Sequence, residues 1–274
     1  MNISLQHNFV KRVLVGSIFV AVLLASIALG PLVFASLLAL GALFAVYEFY
    51  RMSKKTQLIS LTVPGLIATA LLPFSALYGE MYPIALCLML LGVLFIVYLF
   101  TPELSLSDVA LSLLGPLYVG LMLAPLVFIR SAEPSFSCAL LTMVIFISVW
   151  VNDSFAYLAG TLFGKHKMVP SISPKKSWEG FFAGLFGSIL IWLCALWIPN
   201  LPTLNVALCL TLGLSCGVAG FLGDLIESRI KREAQVKDSG TFLPGHGGML
   251  DRIDSLILVS LIAFLILRFS GVIA

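Results

Sequence analysis

Nine stretches of the chain are each apolar over a length that can cross a lipid bilayer. An α-helix needs about 20 predominantly apolar residues to span the hydrocarbon core. The stretches of roughly this length are residues 13–29, 32–50, 58–78, 82–100, 108–129, 137–163, 180–198, 204–227 and 253–270. Only 11% of the 274 residues are charged, whereas soluble domains carry about 25%. The sequence therefore predicts an all-α polytopic membrane protein with about nine transmembrane helices.

The distribution of basic residues predicts which side of the membrane each loop faces. Cytosolic loops of membrane proteins are enriched in Lys and Arg. With a cytosolic N-terminus, 14 of the 16 basic residues fall in cytosolic segments, and Arg130 and Arg268 fall on the other side. The fourteen are Lys11, Arg12, Arg51, Lys54, Lys55, Lys165, Lys167, Lys175, Lys176, Arg229, Lys231, Arg232, Lys237 and Arg252. We therefore expect a cytosolic N-terminus and a non-cytosolic C-terminus.

Two long polar segments, 164–180 and 227–252, interrupt the apolar stretches on the predicted cytosolic side. The other cytosolic loops are short, so chemistry on a cytosolic substrate is expected in these two segments. We expect residues 1–274 to form a single membrane domain. Within it, residues 1–136 supply the N-terminal spans and residues 137–274 supply the catalytic spans and cytosolic loops. The five cysteines form no CxxC pair, which favours buried small side chains over a metal site.

The segment from Ser228 to Asp254 has the residue order of a nucleotide-binding site. A basic stretch is followed by the turn Pro244-Gly245-His246-Gly247-Gly248 and then by the acidic start of the last span. Glycines let the backbone approach a ligand closely, and the helix start that follows favours an anion. Basic side chains neutralise phosphate groups. Together these features indicate binding of a phosphate-bearing ligand.

Aspartates near this segment indicate a divalent cation. Asp224 lies near the end of the eighth stretch and Asp251 at the start of the ninth, so the two can face each other across neighbouring helices. Carboxylates this close repel unless a cation lies between them, and oxygen ligands beside phosphate favour Mg²⁺. Asp153 lies roughly 15 Å inside its span at 1.5 Å per residue, where a charge needs a polar cavity or a partner. The sequence leaves open whether a second cation such as K⁺ is bound.

Structural explanations compete with these assignments. Basic residues beside spans often only follow the positive-inside rule, which explains Arg229 and Arg232 as well as a site role does. Asp251 and Asp254 are also suited to capping a helix. Asp224 is compatible with a structural ion pair with Lys or Arg. A lone His246 is more often a polar loop residue, although its place in Gly-His-Gly-Gly favours a site.

The spacing of these residues resembles a known family signature. The run S-x-I-K-R-x4-K-D-x-G-x2-L-P-x-H-G-G-M-x-D-R-I-D over residues 228–254 is similar to the C-terminal signature of the CDP-diacylglycerol synthases, or phosphatidate cytidylyltransferases. Asp153-x-x-Ala-Tyr, Phe163-Gly-Lys-His-Lys and Ser173-Pro-Lys-Lys-Ser-Trp-Glu-Gly also resemble that family. The N-terminal spans resemble it only in being apolar.

The resemblance implies an Mg²⁺-dependent enzyme of phospholipid biosynthesis that converts CTP and phosphatidic acid to CDP-diacylglycerol and pyrophosphate. The nucleophile would be the phosphate of phosphatidic acid, which is largely ionised at neutral pH because its second pKa is about 6. No strong general base is then needed, so His246 is expected to hydrogen-bond a phosphate. Catalysis would rest on positioning and charge neutralisation.

On this interpretation, each candidate residue has an expected role. The expected catalytic residues are Asp224, Asp251, Lys237 and His246. The expected substrate contacts are Ser173, Lys175, Lys176, Lys231, Arg232, Gly247, Gly248, Arg252 and Asp254. The expected metal ligands are Asp224, Asp251 and Asp153. The expected partners are CTP, phosphatidic acid and membrane lipids, without nucleic acid; a homodimer is compatible with the sequence. The expected location is the bacterial inner membrane, with the site facing the cytosol.

Two other functions are compatible with parts of this pattern. A CTP-dependent lipid kinase of the dolichol-kinase kind would also use CTP and a lipid, but it would release CDP instead of pyrophosphate. A transporter would use Asp153 and Asp224 to bind ions, but transporters often contain inverted repeats, and the sequence shows no repeat. The intact signature favours the synthase.

Overall fold

The computed structural model describes residues 3–53, 58–132, 136–201, 204–240 and 247–273, with side chains from residue 14 onward except that of Phe136. Five residues named above lie outside these ranges: Lys54, Lys55, Pro244, Gly245 and His246. Within the ranges the chain forms ten α-helices and one two-stranded sheet. The elements are α1 (Ile3–Leu29), α2 (Pro31–Ser53), α3 (Thr62–Ser75), α4 (Met81–Phe100), α5 (Leu106–Gly115), α6 (Met122–Ser131), α7 (Phe136–Phe163), β1 (Lys167–Val169), β2 (Ser173–Ser177), α8 (Trp178–Ala195), α9 (Val206–Glu233) and α10 (Leu250–Phe269).

Six helical segments of the described chain are long and apolar enough to cross a bilayer. They are Pro31–Ser53, Met81–Phe100, Leu106–Ser131, Ser137–Phe163, Trp178–Ala195 and Val206–Glu233. Two shorter apolar segments, Leu14–Leu29 and Thr62–Tyr78, coincide with the predicted first and third spans. The prediction of an all-α polytopic membrane protein is confirmed. The count of nine spans and the cytosolic N-terminus stay predictions.

The protein consists of two compact units, each assembled from two parts of the chain. The first unit comprises Met1–Leu121 and Glu233–Arg252, and the second comprises Met122–Arg232 and Ile253–Ala274. The predicted division at residue 137 between N-terminal spans and catalytic spans stays a prediction. The first unit takes in the segment that leads into α10.

In the first unit, side-chain caps and a tyrosine fix the connections between helices. Ser105 and Asp108 form a capping box at the start of α5, and Asp108 also accepts a hydrogen bond from the Ile59 N–H at 2.7 Å. The buried Tyr50 of α2 donates to the carbonyl oxygen of Ser112 on α5. These contacts join both the segment 58–61 and α2 to α5, and α2 is the helix that carries Glu48.

In the second unit, small residues let α8 pack closely on α7. A Cβ atom added at Gly184 would lie 2.8 Å from the carbonyl oxygen of Asn152, so only glycine fits there. Before α8, strands β1 and β2 pair antiparallel, with Lys167 opposite Ser177 and Val169 opposite Ser173. The Ser177 side chain then caps α8 by accepting from the Gly180 N–H. This hairpin delivers the end of β2 directly to the α7–α8 contact.

Candidate active site

Three carboxylates of the second unit converge where α9 ends and α10 begins. Asp224, Glu227 and Asp254 each offer one oxygen, and these oxygens all lie within 4.8 Å of one another. Asp224 and Glu227 are three residues apart and so share one face of α9. Gly223 brings α10 close, because a Cβ atom at this position would collide with the carbonyl oxygen of Asp254. We call these three residues the acidic cluster.

Lys176, near the end of β2, forms an ion pair with Asp224. Its Nζ lies 2.9 Å from Asp224 Oδ2 and donates to the carbonyl oxygen of Phe221 at 3.4 Å. The same ammonium lies 4.4 Å from the centroid of the Phe221 ring, a cation–π contact. Lys175 points away and is exposed, since successive side chains of a strand face opposite sides. Of the two predicted lysines, the structure therefore brings Lys176 to the acidic cluster.

Further polar contacts surround the cluster along α9. Lys231 forms an ion pair with Glu227 one helical turn earlier, and the Glu227 side chain is fully buried. The Ser228 hydroxyl donates to Asp224 Oδ1 at 3.2 Å. Arg232 donates from Nε to the carbonyl oxygen of Ile172 at 3.2 Å, which ties the end of α9 to the turn between β1 and β2. Lys231 thus lies at the cluster, whereas the described bond of Arg232 supports the hairpin.

Asp153 on α7 belongs to the same electrostatic environment. It lies close enough to both Asp224 and Lys176 for their charges to act on it, and its neighbour Asn152 hydrogen-bonds its side chain. Asp153 is exposed on the protein surface, whereas Asn152 is buried. This arrangement is consistent with the expectation that a charge at this depth needs a polar partner. Ser173, at the start of β2, is half-buried and pairs in register with Val169.

The first unit contains the remaining described candidates. Asp251 Oδ2 accepts hydrogen bonds from the Gly248 N–H at 2.8 Å, the Ser239 N–H at 3.0 Å and the Ser239 hydroxyl at 3.0 Å. Because α10 begins at Leu250, the bond from Gly248 connects the first turn of α10 to the residues that precede the helix. Gly247 has a φ of +84°, a conformation that favours glycine. The role of Asp251 as a metal ligand stays a prediction.

Two exposed basic residues complete the set predicted from the signature segment. The side chains of Lys237 and Arg252 are both exposed in the structure. Exposure leaves such side chains accessible to a phosphate in solution, but it does not by itself assign them a ligand. Their predicted contacts with substrate phosphates stay predictions, as does that of His246.

Sequence reasoning missed two carboxylates that the structure places at important positions. Glu227 is not among the site residues expected from the sequence, yet it belongs to the acidic cluster. Its spacing of three residues from Asp224 was the available signal. Glu48 is buried in α2 and accepts hydrogen bonds from Met249 and Leu250, about 200 residues later in the chain. A carboxylate inside an apolar span is costly and often functional, which was the only signal for Glu48.

The acidic cluster has a donor set that fits a hard divalent cation. Carboxylate oxygens are the ligands that Mg²⁺ prefers, and three of them within 4.8 Å can share one ion. Without a cation, carboxylates this close raise one another's energy by repulsion, most strongly at the fully buried Glu227. Lys176 and Lys231 each offset part of that repulsion by pairing with one carboxylate.

Comparison with known proteins places the whole chain in one family. The cytidylyltransferase family profile matches residues 10–270. The chain belongs to the cytidylyltransferase family. The match includes the N-terminal spans, where the sequence alone offered only an apolar character, as well as every candidate residue named above.

Bacterial relatives within this family are similar along most of their length. A protein of Staphylococcus epidermidis strain ATCC 35984 is 36% identical over 257 residues, covering 90% of this chain and 95% of the relative. A Staphylococcus aureus strain COL protein is 37% identical over 237 residues, covering 83% and 86%. A Bacillus subtilis strain 168 protein is 35% identical over 273 residues, covering 95% and 98%. All three carry the name phosphatidate cytidylyltransferase.

Proposed function

We propose that this integral membrane protein transfers the cytidylyl group of CTP to phosphatidic acid, giving CDP-diacylglycerol and pyrophosphate. The observation that carries the proposal is the near full-length similarity to three relatives that bear the name phosphatidate cytidylyltransferase. The acidic cluster beside Lys176 supports it independently, because a nucleoside triphosphate needs both a cation and positive side chains.

The reaction requires little acid–base chemistry from the protein. A phosphate oxygen of phosphatidic acid forms a bond to the α-phosphorus of CTP, and the bond from that phosphorus to the oxygen bridging it to the β-phosphorus breaks. Pyrophosphate leaves with the electron pair of the broken bond. Lys176 and Lys231 would orient the triphosphate and neutralise charge on its oxygens, which is the main requirement of phosphoryl transfer.

Mg²⁺ is the cofactor that we propose for the acidic cluster. Asp224, Glu227 and Asp254 would hold it, and Asp153 would add negative charge nearby. When bound, Mg²⁺ would supply neutralisation of the triphosphate. The ion pair of Lys176 with Asp224 positions this lysine for a phosphate that binds at the same place.

The lipid substrate would be accommodated by an apolar groove along α9 and α10. This groove has a volume of about 530 Å³ and is lined by Leu214, Ser215, Val218, Ala219, Leu222, Leu258, Ile262, Leu265 and Ile266. Leu222 lies two residues before Asp224, and Leu258 lies one helical turn after Asp254. An acyl chain in the groove would therefore have its headgroup end near the acidic cluster.

The proposed location is the bacterial plasma membrane, with the site facing the cytosol and membrane lipids surrounding the chain. Cytosolic CTP and a lipid in the adjoining leaflet require a site at that face. The placement of 14 of the 16 basic residues in the predicted cytosolic segments supports the same orientation.

A labelling experiment with the purified protein in lipid nanodiscs tests the reaction. CTP labelled at the α-phosphate or at the γ-phosphate is supplied with phosphatidic acid and Mg²⁺. We expect the α-label to enter the lipid fraction and the γ-label to appear in pyrophosphate. Entry of the γ-label into the lipid, with release of CDP, would establish a lipid kinase and refute the proposal.

Variants of two carboxylates test the site. Asp224→Asn removes a charge from the acidic cluster, whereas Glu103→Gln changes an exposed carboxylate in the loop between α4 and α5. We expect Asp224→Asn to lower kcat by about 100-fold or more, since charge stabilisation is the main catalytic contribution, and Glu103→Gln to leave it unchanged. Near-normal Mg²⁺-dependent turnover by Asp224→Asn would remove the basis for the metal assignment.

A further inference from the structure

Glu48 of α2 is a buried carboxylate that holds the start of α10. Its side chain is 5% exposed. Oε1 accepts from the Met249 N–H at 3.0 Å, and Oε2 accepts from the Leu250 N–H at 3.0 Å. Oε2 also accepts from the Ser239 hydroxyl at 2.8 Å. One side chain therefore connects α2 to both ends of the segment 239–250.

The physical reason for a carboxylate at this position is the unpaired N–H groups at a helix start. The first N–H groups of α10 have no partner within the helix, and they carry the positive end of its dipole. A carboxylate that accepts from two of them forms charge-assisted hydrogen bonds, which are stronger than neutral ones. A buried carboxylate without such donors is costly, so the position of the Glu48 side chain depends on the α10 backbone.

The packing around Glu48 leaves little room for another arrangement. Cβ atoms added at Gly240 and at Gly248 would both collide with the Glu48 carboxylate. Ser239 Oγ lies within hydrogen-bond distance of both Glu48 Oε2 and Asp251 Oδ2, at 2.8 and 3.0 Å. A hydroxyl has one proton, so it donates to one carboxylate at a time. The backbone on either side of residues 241–246 is thus fitted directly against this side chain.

We propose that Glu48 is a positioning residue for cytidylyl transfer. By accepting from the first N–H groups of α10, it sets the position of the turn that begins this helix and carries Asp251, a residue that the sequence predicts to be catalytic. The inference rests on the proposed function, because only that function makes this turn part of a catalytic site. Glu48 acts through the backbone of residues 239–240 and 248–250 and does not contact substrate.

A buried carboxylate that only stabilises the fold is the competing explanation, and the chain offers a matched control for it. Asp108 is also 5% exposed, lies in the same unit, and caps α5 by accepting from Ser105 and Ile59. Asp108→Asn therefore removes an equally buried helix-capping charge away from α10. Glu48→Gln keeps the shape of the side chain but turns an amide NH₂ towards a backbone donor.

Steady-state kinetics of both variants in nanodiscs give the first test. We expect Glu48→Gln to lower kcat by about 10- to 100-fold, as displacements of about 1 Å do, with a smaller change in KM for CTP. Asp108→Asn should retain kcat within about twofold per folded molecule, since it leaves α10 in place. Equal kcat losses in the two variants, after correction for folded protein, would overturn the positioning role.

Hydrogen–deuterium exchange gives a readout that does not depend on turnover. We expect the Met249 and Leu250 amides to exchange about tenfold faster or more in Glu48→Gln, as expected for lost protection, and at the wild-type rate in Asp108→Asn. Unchanged exchange at these amides would overturn the inference even if kcat falls. Absence of CTP turnover by the wild-type protein would instead refute the proposed function. The exchange data would still show whether Glu48 protects the Met249 and Leu250 amides.

Discussion

Replacing Gly223 with alanine tests whether the close approach of α9 and α10 sets the geometry of the acidic cluster. A Cβ atom on Gly223 would collide with the carbonyl oxygen of Asp254 and lie 3.1 Å from the Cα of Ser255. Both obstacles are backbone atoms, which cannot turn aside as a flexible side chain can. Restoring ordinary contact distances of about 3.5–4.0 Å requires the helices to separate by about 1 Å.

The expected cost of this separation is small for stability and large for catalysis. Overpacking destabilises by about 1–3 kcal/mol, and alanine returns up to about 1 kcal/mol through its better helix propensity. A displacement of about 1 Å at a catalytic constellation lowers the rate by about 100-fold, which corresponds to about 2.7 kcal/mol of transition-state stabilisation. We therefore expect Gly223→Ala to fold with a modestly lower Tm and to lose most of its activity.

Gly220→Ala is the matched control for this prediction. Gly220 lies one turn earlier on α9, and the nearest atoms to an added Cβ are Asn152 Nδ2 and Val259 Cγ2, both at 3.5 Å. That is ordinary van der Waals contact, so this variant should keep wild-type kcat and an equal or higher Tm. Both variants are assayed for CTP turnover across Mg²⁺ concentrations and for thermal unfolding in detergent. Equal turnover by Gly223→Ala and Gly220→Ala would refute the reasoning.

Three further predictions concern the charges of the acidic cluster. Lys176→Ala should raise KM for CTP by about tenfold, the loss of one charge-assisted contact, whereas Lys167→Ala, an exposed residue of β1, should not change it. Glu227→Gln leaves Lys231 without its buried partner, so the free energy of unfolding should fall by about 3–5 kcal/mol. Denaturant titration in micelles measures this change, and an unchanged unfolding midpoint would contradict a stabilising buried ion pair. Chelation by EDTA should abolish turnover reversibly, and activity that survives complete metal removal would exclude the Mg²⁺ proposal.

The membrane fold was predictable because the bilayer imposes a simple length rule on the sequence. Stretches such as 82–100 and 137–163 correspond to α4 and α7, each of which begins one residue earlier and ends at the same residue. Local irregularities were not predictable from hydropathy. The π-helical segment Pro116–Leu121 and the β1–β2 hairpin both lie in regions whose average polarity does not specify backbone geometry.

The acidic cluster was predictable in part because its residues lie near span ends, where charge is conspicuous in an apolar chain. Asp224, Asp254 and Lys176 were all selected from the sequence, and the structure brings them together in the second unit. Glu48 could not be selected in this way, because its partners are about 200 residues away and are backbone N–H groups. The residue types in a sequence indicate which side chains could form a site. They do not show which carboxylate accepts hydrogen bonds from the start of a helix that is distant in the chain.

The hydrogen-bond donors around each carboxylate distinguish carboxylates that order the backbone from carboxylates that could bind a cation. The sequence alone does not make this distinction. Glu48 accepts from backbone N–H groups at the start of α10, and Asp251 accepts from the N–H groups of Ser239 and Gly248. These bonds supply hydrogen-bond donors to each carboxylate without a cation. The members of the acidic cluster, Asp224, Glu227 and Asp254, instead face one another, and two of them pair with lysines. A bound cation stabilises carboxylates most where they would otherwise repel one another, and least where N–H groups already donate hydrogen bonds to them. This difference favours Glu227 over Asp251 as the third ligand of the proposed Mg²⁺ site, and it indicates that Asp251 orders the residues that precede α10.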